Sequence, residues 1–442
     1  IVYLIFGALM HRCGASHWFM DMALALTGWS RGGPAKAAVL ASAMFGSISG
    51  SPSGNSATTG VFTIPLMKRI GYTGAFAAAV EAVASSGGMI LPPVMGAIAF
   101  LMAEWINVPY VEIVFAAAIP AVLYFFIVFF SVHLQAKKDG VAPLSVSELP
   151  SFKAVFIQGW YYLVPMLGLF YFLIIAALPP GIAGVYACLF VLGASFLSKD
   201  RSNWLLPRLF LQALEEGVTR WVVIAVITGG VGMMIGAIEL SGVGIKFSRF
   251  IIDLAGGHLV LAMLFVGVVS LFVGMGLDAT PAYITLATLM APALIRMGVS
   301  DIAAHLFVVY WGLASFFTPP TCIAVFVTSG IAGSRVWETG GEAVRLGIAA
   351  FVIPFAFVFN PGLLLQGELI DMVFAIITAV FGAAFFAMGI RGYAFLALNR
   401  IQRLIIFAAA CLAIAPGLLI PLAGLVLGGA ILLPQWVIGR AR

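Results

Sequence analysis

Long apolar runs separated by short polar breaks fill this chain from end to end. Uninterrupted stretches such as 159–179 (GWYYLVPMLGLFYFLIIAALP) and 369–390 recur at about the 20 residues that a membrane-spanning helix needs. A transmembrane barrel would instead show segments of about ten residues with alternating polarity. Helices are the remaining way to pair backbone groups in lipid, so the pattern predicts an all-α polytopic membrane protein with roughly ten spans plus two hairpins.

The breaks carry the topology. Between Lys36 and Lys68 the polar run GSISGSPSGNS at 46–56 is too polar for lipid, and the segment is too short for two full spans. It is expected to dip in and return to the same side as a re-entrant hairpin (about 34–69). A helix over about 74–105 follows, interrupted at Gly87-Gly88 and at Pro92-Pro93, where proline removes helical hydrogen bonds. The pattern repeats later, with a hairpin at about 258–297 around the tip GMGLDATP and a broken helix at about 302–330 ending in Pro319-Pro320. A shift of 227 residues aligns Pro65 with Pro292, Arg69 with Arg296, Gly71 with Gly298, Pro92-Pro93 with Pro319-Pro320 and Ala97 with Ala324. The expected organisation is a first repeat at 1–135, connecting spans at 136–215, a second repeat at 216–345 and a C-terminal membrane extension at 346–442. Clusters of Lys and Arg, placed on one side by the positive-inside rule, make the two hairpins enter from opposite faces, which describes an inverted repeat with two re-entrant hairpins and two broken helices.

Composition removes the soluble alternatives, since only 9% of residues are charged against about 25% in a soluble domain. The net charge of +5 therefore marks loops on one membrane face and not a nucleic-acid surface. The four cysteines and five histidines are scattered without metal-ligand spacing, so neither zinc, haem nor a disulfide is expected. Because the first residue is Ile1, inside an apolar stretch, the sequence reads as a fragment of a longer chain.

Irregular backbone is tolerated in a bilayer only where it lines a polar cavity, so the four breaks are expected to converge near the midplane. In the first half the candidate donors and oxygen ligands are Ser49, Ser51, Ser53, Asn55, Ser56 and Thr58, faced by Ser85, Ser86, Gly88 and Pro92. Small hydroxyl residues also let helices pack closely, yet five serines and one asparagine within ten residues are more than packing alone requires. In the second half the candidates are Gly274, Gly276, Asp278, Thr280, Ser315, Thr318, Pro319 and Thr321. Asp278, a carboxylate at a hairpin tip, is expected to serve the coupling site or gate and not merely as a helix cap. Thr280, Thr318 and Thr321 read equally well as ligands or as back-bonded helix threonines. Glu81 is either a protonatable coupling group or a carboxyl that holds the broken helix by hydrogen bonds. Glu104 and Glu239 fall at span ends. Helix N-termini suit an anionic substrate, and carbonyls with hydroxyls suit Na⁺ at the same hairpin tips. No HExxH motif, catalytic aspartate pair or Ser-His pairing points to an enzyme, and the inverted repeat argues against a channel.

The stretches RGGPAKAAVLASAMFGSISGSPSGNSATTGVFTIPLMKRIGY (31–72), VEAVASSGGMILPPVMGAIAF (80–100), GMGLDATPAYI (274–284) and FFTPPTCIAVF (316–326) resemble the large membrane subunit of TRAP (tripartite ATP-independent periplasmic) transporters. Over about residues 1–360 the chain is most similar to the fused permeases that work with TAXI-type substrate-binding proteins. The resemblance implies a permease in the bacterial inner membrane that imports small carboxylates with a Na⁺ (or H⁺) gradient. It also implies a periplasmic binding protein as partner and small-subunit helices, fused upstream or separate. A carrier of the same architecture that needs no binding protein is the alternative.

Overall fold

The computed structural model describes residues 1–440, and the side chains at positions 146, 235, 238, 239, 243, 245, 439 and 440 lie outside the description, Glu239 among them. The described residues are helical throughout, with no strand beyond an isolated bridge between Tyr393 and Ala397. The polytopic helical class read from the apolar runs is the one observed.

Six helices among the described residues are long and apolar enough to cross a membrane. Tyr110–Lys138, with 29 residues, extends about 43 Å at 1.5 Å per residue, more than the roughly 30 Å of a hydrocarbon core. The expected count of full spans was higher because several apolar stretches are divided. The first thirty residues form two shorter helices, Val2–Arg12 and Ala15–Thr27, separated by Gly14 at φ 89°. The stretch at 207–241 is one helix of 35 residues, longer than the expected span. An amphipathic helix, Val336–Leu346, precedes the short apolar Ala349–Phe359, where a plain span was expected.

Hairpin one consists of Gly33–Ser49 and Pro52–Arg69, and its turn follows from three consecutive residues. Gly50 adopts φ 61°, which closes the first arm. Ser51 accepts a hydrogen bond from the Gly54 amide at 3.2 Å as N-cap. Pro52, without an N–H to satisfy, starts the second arm. The first broken helix runs as Gly74–Gly87, a 3₁₀ turn at Gly88–Ile90, then Ile98–Ile106. Hairpin two comprises Leu259–Gly274 and Ala279–Leu289, and its second arm is completed after Met290 by Ala291–Arg296. The second broken helix is Asp301–Ala314 followed by Ile323–Ala332. The Pro92-Pro93 and Pro319-Pro320 bonds, aligned by the shift of 227, are both cis.

The halves interlock. Ile323–Ala332 packs against both the second arm of hairpin one and Gly74–Gly87, and Pro207–Ser241 packs against Val2–Arg12 and Ala279–Leu289. The later helices Leu369–Arg391, Arg400–Ala413 and Leu419–Arg440 pack on one another, and the first of them packs on Tyr110–Lys138. Arg391 anchors them. Its side chain is only 5% exposed and donates to Glu342 at 3.2 Å and to Gln135 at 3.3 Å. Its guanidinium carbon lies 5.3 Å from the centre of the Phe76 ring, so a cation–π contact adds to the ion pair.

Candidate functional site

Each hairpin comes close to the broken helix of its own half, backbone to backbone in the first half and glycine to serine side chain in the second. A Cβ on Gly88 would stand 2.5 Å from the Gly46 Cα, and one on Gly50 would stand 2.3 Å from the Gly96 Cα. In the second half a Cβ on Gly274 would meet the Ser315 hydroxyl at 2.9 Å. Gly88 and Ser315 are related by the same 227-residue shift, while their hairpin partners Gly46 and Gly274 stand one position out of that register.

Glu81 sits beside the first junction, fully buried on the helix Gly74–Gly87. Ser42, on the first arm of hairpin one, donates to its Oε1 at 2.7 Å, and Ser85 does so at 2.9 Å. Thr63, on the second arm, donates to Oε2 at 2.6 Å, and Thr59 also reaches Oε1. Thr59 has a second acceptor in the Asn55 carbonyl at 2.8 Å. One carboxyl thus ties three helices together, which gives the holding role its contacts. Ser42, Thr59 and Thr63 had not been singled out from sequence. The i, i+4 spacing of the two threonines is the signal that places both on one helix face.

The predicted serines divide by use. Ser51 is the cap just described, and Thr58 donates back to the Gly54 carbonyl at 2.9 Å. Ser86 donates to the Ala82 carbonyl at 2.7 Å, and Ser315 to the Gly312 carbonyl at 2.6 Å. Ser53 is half-buried. Asn55 and Ser56 are fully buried, and the Asn55 Oδ1 and Ser56 Oγ have no hydrogen-bond partner among the described residues. The Asn55 amide donates to the Ser42 carbonyl at 2.9 Å, which fixes the free oxygen's orientation. Replacing Ser51 with alanine is expected to cost about 1 kcal/mol, the usual worth of an N-cap. Thermal unfolding of the purified variant checks this, and an unchanged midpoint would refute it.

In the second half Asp278 occupies the N-cap position of Ala279–Leu289, half-buried, without a capping hydrogen bond from its side chain. Thr280 is buried, and the Thr318 Oγ1 is buried without a partner among the described residues. Pro92 and Pro319 are half-buried, and Pro319 packs against Gly340. Gly276 and Thr321 are exposed, so they stand apart from the buried group. Glu104, expected at a span end, is exposed. A polar pair that the sequence reading missed joins this half, the Tyr283 hydroxyl lying 2.9 Å from His305 Nδ1 between hairpin two and the second broken helix.

Ends of both hairpins reach one cavity of about 500 Å³, lined by Ser49 from hairpin one, Thr280 from hairpin two and Gly96 and Ala97 from the first broken helix. Such a space, polar only at a few points and bordered in part by the hairpin ends and the first broken helix, has the size of a small-molecule site.

Comparison with known proteins agrees with that geometry. The family model described as tripartite ATP-independent periplasmic transporter, DctM component, matches residues 1–372. The C4-dicarboxylate TRAP transporter large permease protein DctM of Pseudomonas aeruginosa is 25% identical over 76% of this chain and 78% of its own. The sialic acid TRAP transporter large permease protein SiaM of Vibrio cholerae is 22% identical over 80% of each chain. The isethionate TRAP transporter permease protein DctMQ of Oleidesulfovibrio alaskensis is 22% identical over 75% of this chain and 51% of its own. These relatives are transporter permeases and not enzymes. With hairpins, broken helices and a family match over most of its length, this chain belongs to the DctM component family of tripartite ATP-independent periplasmic transporters.

Proposed function

We propose that this chain is the transporting subunit of a secondary importer of small organic anions, driven by a Na⁺ gradient or, failing that, by H⁺. The observation that carries the reading is the pair of hairpin junctions beside buried oxygens without a partner among the described residues, Asn55 Oδ1 and Ser56 Oγ in one half and Thr318 Oγ1 in the other. A buried acceptor without a donor costs free energy, and a small hard cation with oxygen ligands relieves that cost. The anion then binds near the helix N-termini of the hairpins, where partial positive charge and free N–H groups favour it. Bound cations offset the penalty of taking the anion into the membrane, so loaded and empty sites move while half-loaded ones move poorly. In this reading the hairpins and broken helices shift as a unit against the remaining spans.

Substrate arrives from a soluble periplasmic binding protein, and small-subunit helices complete the complex in the inner membrane. A TAXI-type binding protein is the partner proposed, from the resemblance over about residues 1–360 to the fused permeases. The test is uptake of labelled carboxylates into proteoliposomes containing the full-length protein and its small subunit, with and without the binding protein. Uptake that needs both the binding protein and an imposed gradient is expected. Replacing Asn55 with alanine is expected to raise the Na⁺ concentration for half-maximal uptake at least tenfold. Uptake without the binding protein would instead indicate a stand-alone dicarboxylate carrier, and flux without a gradient would indicate a channel.

A further inference from the structure

We propose that a basic pocket, formed where the first broken helix meets the later helices, binds a phosphate group through Arg391, with Lys138, Arg345 and Arg403 around it. The pocket holds about 820 Å³. None of its lining residues belongs to a hairpin tip or to a break, so it is separate from the site already described. Two helices long and apolar enough to cross a membrane, Tyr110–Lys138 and Leu369–Arg391, end in it. Ends of spans lie at the level of lipid head groups, and their basic residues mark the cytoplasmic face, where the leaflet is anionic.

Four cations and three carboxylates line the pocket. Glu342 is shared between two of the cations, its Oε1 with Arg345 at 2.6 Å and its Oε2 with Arg391 at 3.2 Å. Asp139 and Glu338 are exposed, where water and salt screen them, and Asp139 already accepts from Gln135 at 2.7 Å. Lys138 and Arg403 have no carboxylate partner among the described residues. They donate to main-chain carbonyls instead, Lys138 to Arg391 at 3.1 Å and Arg403 to Gly389 at 2.9 Å. Arg391 supplies its bonds to Glu342 and Gln135 from Nη1 alone, while its Nε and Nη2 are buried without a partner among the described residues. The hydroxyl of Tyr72, another wall residue, is in the same condition. Nε–H and Nη2–H form the side-on edge of the guanidinium, two parallel donors that match two oxygens of one anion. Unpaired donors on a buried cation cost free energy, which such an anion recovers. Because the edge is buried, the guanidinium turns toward the pocket as the ligand enters, and Glu342 keeps Arg345 when it does. A phosphate then has oxygens left for Tyr72 and the surrounding cations, which a carboxylate lacks.

The experiment follows the unfolding midpoint of the purified full-length protein in detergent at fixed ionic strength, as dioctanoyl phosphatidylglycerol, dioctanoyl phosphatidylcholine or sodium phosphate is added. Phosphatidylglycerol is expected to raise the midpoint by several degrees and to saturate. Phosphatidylcholine, whose choline offsets the phosphate charge, is expected to need at least tenfold more. Saturation by sodium phosphate over the same concentrations would make the ligand a soluble phosphate, and a response to phosphatidylglycerol alone would make it a lipid head group. Gly341 lies on the pocket wall, and a Cβ there meets nothing within 4 Å. Gly341→Glu therefore adds a carboxylate without disturbing the packing, and it is expected to raise the half-saturating concentration at least tenfold, whereas Gly341→Gln stays close to the parent. Arg391→Lys keeps a cation for Glu342 but loses the side-on edge, and a loss of at least tenfold is expected for it too. The proposal is overturned if neither phosphate compound gives a saturable shift or if phosphatidylcholine acts as well as phosphatidylglycerol. Parent-like binding in Gly341→Glu overturns it as well, and that result stands even if Arg391→Lys fails to fold.

Discussion

Glu81→Leu is expected to lower the unfolding midpoint of the purified protein by several degrees and to abolish uptake. The leucine has nearly the right volume but accepts nothing, and hydroxyls from Ser42, Thr59, Thr63 and Ser85 all end at this carboxyl. Ser42 and Thr59 have alternatives, each other at 3.1 Å and the Asn55 carbonyl at 2.8 Å. Thr63 and Ser85 would have to find new acceptors inside a closed packing. Orphaning a buried polar group costs about 1–3 kcal/mol, so a total of about 3–5 kcal/mol is expected. Glu81→Gln keeps the shape and one oxygen, and less than half of that loss is expected. A leucine variant as stable as the parent would remove Glu81 from its holding role. If Glu81→Gln keeps its stability but loses a response to an imposed proton gradient, the carboxyl takes part in coupling as well.

Gly88→Ala is the second variant of large effect. The added methyl would stand 2.5 Å from the Gly46 Cα and 2.6 Å from its carbonyl carbon. Both are backbone atoms of hairpin one, so no side-chain rotation relieves the clash and the hairpin must part from the break. Overpacking of this kind typically costs about 1–3 kcal/mol, and the displacement falls on the junction itself. Uptake is expected to drop more than tenfold while the protein still inserts and purifies. Gly193→Ala is the control, because a Cβ there meets nothing within 4 Å. Equal uptake by the two variants would show that the close approach of Gly46 and Gly88 is dispensable.

The devices that set the architecture are local, and for that reason they were legible in the sequence. Prolines at 92–93 and 319–320 remove backbone donors wherever they stand, and the run Gly50-Ser51-Pro52 ends one helix and starts another by its own chemistry. The division of labour within the serine run was not legible. Whether Asn55 reaches the Ser42 carbonyl and Ser56 remains free depends on how the arms of hairpin one lie against each other and the helix after them, which no spacing encodes. Trp221 and Tyr3 met the same limit. They belong to segments distant in sequence, and only the packing of Pro207–Ser241 on Val2–Arg12 brings both to the cavity. Thr321 was placed at the site by its neighbourhood with Pro319, yet the chain turns there and leaves it exposed.

The family match stops at residue 372, whereas one of the two cations paired with Glu342, the buried Arg391, lies beyond it. Arg391 also stacks on Phe76, two residues into the helix that carries Glu81. The unit defined by shared ancestry is therefore smaller than the unit that folds. A chain trimmed to the shared part would keep every hairpin and every break but leave Glu342 with only the exposed Arg345, and the first broken helix without the side chain that covers its start. Fusion points, tags and domain exchanges in this protein belong beyond Arg391 and the helices packed with it, not at the boundary that alignment suggests.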